Sequence, residues 1–140
     1  MRNFSRILLA VSLSAAAFAI AADKVAIAAL LKDVDKYDGK VITLTGKVAK
    51  FKAKTSKAGN AYYNFKLAGK ADEDVVSIYG QGKLEKEPED GATVEVTGKF
   101  AKETKVGANT FKNELNITKK EGDEKTKDFG IKVVKASAGG

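Results

Sequence analysis

Tyr62, in the stretch AYYNFKL, and Tyr79, in DVVSIYG, sit where apolar and polar residues alternate. Successive side chains of a strand point to opposite faces. Tyr63, Phe65 and Leu67 therefore share the inner face with Val76 and Ile78, while Tyr62, Asn64 and Lys66 share the outer face with Val75, Ser77 and Tyr79. Lysines crowd the neighbouring segments: Lys47 lies upstream, Lys52, Lys54 and Lys57 fall in KFKAKTSK, and Lys102 and Lys105 fall in FAKETKVG. Flat rings flanked by cations stack on planar groups, at about 1–3 kcal/mol per nucleic-acid base, and draw in phosphate. Singly, each residue has a plainer reading, because tyrosines favour strands and lysines keep sheet edges soluble. Together they form one candidate face for single-stranded nucleic acid or another polyanion.

Catalysis has little to build on. The chain has no histidine and no cysteine, so it lacks the commonest general base, the thiol nucleophile and the usual transition-metal ligands. Glu85/Glu87 and Asp123/Glu124 lie in polar stretches, and Asp72, Glu73 and Asp74 lack the glycine-punctuated spacing of a calcium loop. The expectation is a binding protein that is no enzyme and needs neither cofactor nor metal. Formal net charge is +7, and apart from Arg2 and Arg6 every basic residue is lysine. That sign favours anionic partners, but lysine without arginine speaks against bidentate reading of bases.

Those two arginines open a segment with its own meaning. Residues 1–22 carry an apolar run from Ile7 to Ile20 and small residues in the A-x-A pattern around Ala17, Ala19 and Ala21. This reads as a cleaved secretory signal peptide rather than an anchor, because a span needs roughly 20 apolar residues. The periplasm is the expected destination, with full secretion second. Cleavage leaves roughly 118 residues, enough for one domain and too few for two good cores.

The elements that must hold the face are legible in the periodicity. Asp23 is placed to cap a helix bearing Ile27, Leu30, Leu31, Val34 and Tyr37, and Gly39 to end it. Period-two segments follow. VITLTGKVAK buries Ile42, Leu44 and Val48; TVEVTGKF buries Val94, Val96 and Phe100; TFKNELNI offers Phe111, Leu115 and Ile117, with Asn113 on the same face. TGKVAK at Thr45 to Lys50 returns as TGKFAK at Thr97 to Lys102, and Gly46 and Gly98 are read as bulges or sharp bends. KLEKEPEDG reads as a solvated connection.

With VITLTGKVAKF, AYYNFKLAG, VVSIYGQGK and GATVEVTGKFAKE as its first four strands, residues 40–118 resemble the OB-fold, in particular barrels that bind tRNA anticodons and single-stranded DNA. The resemblance implies an all-β, five-stranded Greek-key barrel with one preceding α-helix, over residues 23–118, and a ligand groove bordered by its two long hairpin loops. Asp72, Glu73 and Asp74 depart from that pattern, since they would lie next to the groove and repel phosphate. A lone barrel behind a signal peptide also resembles the periplasmic OB-fold proteins of bacterial stress defence, which implies a small ligand or a protein partner instead. In the charged tail, 119–140, Lys119 to Asp128 is expected to be solvated. Phe129, Ile131 and Val133 alternate as a sixth short strand would, with partner docking as the alternative. A monomer is expected.

Overall fold

The computed structural model describes residues 22–136. The expected signal peptide, apart from Ala22, and residues 137–140 lie outside the described residues. The start of the chain departs from the single helix expected. Asp23–Lys24 forms a short strand, β1, and the helical region divides into α1 (Ile27–Lys32) and α2 (Val34–Tyr37). Asp33 makes the break, at φ −145°, ψ 57°. Aspartate competes poorly for helix interiors, and here its N–H turns back to the Leu30 carbonyl. Gly39 ends the region as expected. It adopts φ +83°, and its N–H donates to the Phe100 carbonyl at 2.7 Å.

Beyond the helices the chain is mostly β. The strands are β2 (Val41–Thr55), β3 (Ala61–Ala68), β4 (Val75–Gln81), β5 (Thr93–Val106), β6 (Asn109–Asn116) and β7 (Gly130–Lys135). With β1 they make one seven-stranded sheet, not five strands, in the order β1-β2-β3-β4-β6-β5-β7. β2 also pairs with β5, so the sheet curls into a partial ring. β1–β2 and β4–β6 are parallel and the other pairings antiparallel. The two strands beyond the expected count flank this closure: β1 beside Ile42 and Thr43, and β7 beside Thr93 to Thr97. The alternation in the tail thus does form a strand. The charged run before it is exposed at most positions, while a 3-10 turn at Glu124–Thr126 buries Thr126, whose hydroxyl accepts from the Lys120 N–H at 2.8 Å.

Inside the ring the expected inner residues are buried. Leu44, Phe65, Leu67, Ile78, Val96 and Phe100 are almost wholly removed from water, and Ile27 and Leu30 of α1 join them. Burying each such side chain contributes about 1.5–3 kcal/mol. Phe111 is the exception, at 44% exposed. Asn113 takes a left-handed φ of 54°, and the β5–β6 hairpin beyond it is exposed from Asn109 to Lys112, past the core. The connection after β4 also departs from expectation, since Leu84 packs on the core and Pro88 is buried.

The repeated TGK motif marks a change of partner. β2 pairs with β5 from Val41 to Lys47 and with β3 from Lys47 onward. β5 pairs with β2 from Thr93 to Lys99 and with β6 from Lys99 onward. Gly46 and Gly98 each stand one residue before the changeover. A Cβ on Gly46 would meet the Ala68 carbonyl oxygen, and one on Gly98 the Asn116 carbonyl oxygen. Both glycines thus permit close backbone approach rather than forming bulges, and the β2–β5 register runs unbroken through them. The bulge of β2 lies further on, between Ala49 and Lys52, with Lys50 at φ 57°.

Candidate ligand-binding cleft

That bulge decides what faces outward. Ile42, Leu44 and Val48 point inward, so unbroken alternation would turn Lys50, Lys52 and Lys54 toward the core as well. The extra residue reverses the phase. Phe51 goes inward instead, its ring 5.9 Å from those of Tyr63 and Phe65, while Lys52 pairs with Asn64 and Lys54 with Tyr62 on the outer face. Lys52 and Lys54 therefore belong to a strand that continues to Thr55.

Next to them, β3 and β4 form the floor. Their register sets Tyr62 opposite Gln81, Asn64 opposite Tyr79 and Lys66 opposite Ser77. The Tyr62 and Tyr79 rings lie 6.0 Å apart, tilted by 37°, and Lys66 Nζ donates to Ser77 Oγ at 2.7 Å. The floor continues into β6, where Glu114 is level with Ser77 and Asn116 with Tyr79. The outer parts of the two long hairpins, β2–β3 and β5–β6, complete an open cleft of about 770 Å³. Lys50, Lys52, Lys54 and Ser56 line one side, and Thr104, Val106, Asn109 and Phe111 the other.

Six residues expected at the face do line this cleft: Lys52, Lys54, Tyr62, Asn64, Lys66 and Tyr79. Four do not. Lys47 sits where β2 changes partner, Lys57 lies in the β2–β3 turn, and Lys105 is exposed on the outer part of β5. Lys102 turns to the helices: its Nζ binds Asp35 Oδ1 at 2.6 Å and its backbone N–H donates to Asp38 Oδ1. The hydrogen bond and charge of Asp35 raise its pKa. Asp72, Glu73 and Asp74 occupy the β3–β4 turn and do not line the cleft; Tyr62 lies at the other end of β3, about 20 Å along the strand.

The cleft also holds residues that the expected face lacked. Lys50 was hidden by the bulge, and Phe111 by its apparent core position. Glu114 and Asn116 alternate with buried Leu115 and Ile117, a signal present in the sequence. Glu114 is half-buried, and burial raises its pKa while a hydrogen bond from Thr104 and the charge of Lys66 act the other way. The cleft thus carries four lysines against a single carboxylate.

A smaller cavity of about 270 Å³ lies against the inner side of the same hairpin, lined by Phe51, Tyr63 and Leu84 among others. Burial pushes the Tyr63 hydroxyl pKa up to about 12. Among the described residues no three or more acidic, histidine or cysteine side chains gather to hold a metal ion, and no helix is long and apolar enough to cross a membrane. No family model matches the chain, and no curated protein matches it in sequence.

Proposed function

We propose that this chain is an exported OB-fold binding module whose cleft takes single-stranded nucleic acid or a comparable anionic ligand bearing flat rings. The fold part of the reading is supported by the pairings β2–β3, β3–β4, parallel β4–β6, β6–β5 and β5–β2, which return to their starting strand. The observation that carries the function is the juxtaposition of the Tyr62 and Tyr79 rings with a row of lysines along one wall. Rings supply stacking that tolerates any base, and lysines supply point charges for a phosphate chain. No reaction is assigned, since the cleft offers neither a histidine nor a thiol.

Titration of a fluorescein-labelled single-stranded oligonucleotide of about 12 nucleotides, followed by anisotropy at low salt, tests the reading. Tyr62→Ala and Tyr79→Ala should each weaken binding by about 1–3 kcal/mol. The core should survive, because Tyr63, Phe65 and Ile78 carry it from the inner face. Failure of the unaltered protein to bind, or an equal loss from replacing Glu85 and Glu87 on the connection after β4, would discard the site. The alternative is a periplasmic stress-defence or scaffold protein, favoured by the signal-peptide pattern of residues 1–22. It predicts no oligonucleotide affinity and a small-molecule or protein ligand.

A further inference from the structure

A carboxylate on the floor of a cleft that attracts anions works against that attraction unless it meets a hydrogen-bond donor of the ligand. Glu114 is in that position. It stands level with Ser77 on β4, and Asn116, two residues along β6, stands level with Tyr79. A ring stacked on Tyr79 would reach over the Glu114–Asn116 stretch, because adjacent strands of a sheet lie only about 5 Å apart. Lys66, the cation nearest to it on the floor, has its ammonium on Ser77 Oγ at 2.7 Å. Thr104, on the neighbouring strand β5, and the charge of Lys66 both favour its ionised form against the effect of burial. An ionised carboxylate has about four acceptor sites, so most of this capacity is left for the cleft.

Resting on the nucleic-acid reading above, we propose that Glu114 is a specificity-determining residue that makes the cleft favour rings carrying an exocyclic amino group, such as cytosine, over rings presenting a carbonyl oxygen there, such as thymine. The amino group of cytosine donates to a carboxylate, whereas the thymine O4 lone pairs face it with like charge. Half-burial of Glu114 sharpens the choice, since water cannot fully replace a missing donor. The positive row of Lys50, Lys52 and Lys54 lies on the other side of the Tyr62–Tyr79 pair. Phosphates then follow that wall while ring edges point to β6. Lysines provide affinity without regard to base, and the single carboxylate provides the choice.

The test compares labelled oligodeoxycytidine with labelled oligothymidine of equal length on the full chain near pH 7.5, for the unaltered protein, Glu114→Gln and Glu114→Ala. The unaltered protein should prefer cytidine by about tenfold. Glutamine both donates and accepts, so Glu114→Gln should reduce that preference to within about threefold while raising thymidine affinity. Glu114→Ala should lose it too, and circular dichroism of both variants checks that the sheet persists. Equal affinity of the unaltered protein for the two probes overturns the role of Glu114 and leaves the binding reading standing. Binding of neither probe overturns the reading itself, and the inference with it. A cytidine preference kept by both variants assigns the choice to another residue and refutes the proposal.

Discussion

Replacing Lys50, Lys52 and Lys54 together by glutamine should flatten the salt dependence of oligonucleotide binding. The cleft presents four lysines, and three of them stand in one row on β2. For a single strand, the logarithm of the binding constant falls with the logarithm of salt at about 0.7 per phosphate neutralised, so four contacts give a slope of about −2.8 and one contact about −0.7. Between about 50 and 200 mM salt the unaltered protein should then lose about 50-fold in affinity and the triple variant only about 3-fold. Anisotropy titrations at four salt concentrations measure both slopes. Lys102→Gln is the control. Its ammonium is held by Asp35 beside α2, so the slope should not change. A steep slope in the triple variant, or a slope flattened as much by Lys102→Gln, would show that phosphates run elsewhere.

Two further predictions concern the frame. Gly98→Ala should destabilise by about 3 kcal/mol, because the new Cβ meets the Asn116 backbone carbonyl rather than a side chain that could swing away. Gly59→Ala, at φ +88° with open space around it, should cost only about 1–2 kcal/mol for its backbone conformation, and equal shifts in urea midpoint would contradict the close-approach reading. Burial holds the Tyr63 pKa at about 12, above the unfolded value near 10, so its contribution is fully present below about pH 10 and is lost as pH rises through about 12. Tyr63→Phe should therefore lose less stability than the unaltered protein between about pH 8 and pH 11.5, and parallel losses would refute this.

The inner face was legible wherever alternation ran unbroken. Phe65, Ile78 and Val96 were placed correctly because period two requires only local chemistry and one buried side. The phase change at Lys50 was not legible, since a left-handed backbone is usually announced by glycine or asparagine and here is adopted by a lysine. Phe111 was misplaced for a different reason. Alternation assigns a face but not the point at which a hairpin outruns the core it packs on. Lys102 shows the limit for charge: its partner Asp35 is 67 residues away in the chain, and only the fold brings β5 beside α2. The cleft was therefore half legible, its floor readable from β3 and β4 and its walls dependent on long-range closure.

The placement of β7 beside β5 has a consequence for the protein at high concentration. β7 is hydrogen-bonded along one side, to β5, and among the described strands it contributes the longer of the two terminal edges of the sheet, β1 having only two residues. Val133 and Val134 are exposed on it, as on strands that recruit further copies into aggregates. An antiparallel meeting of two such edges that set Val133 against Val134 would also set Lys132 against Lys135, twice. Like charges directly opposite one another disfavour that pairing. Salt screens these lysines, so raising the ionic strength should weaken the barrier to pairing between two copies at this edge.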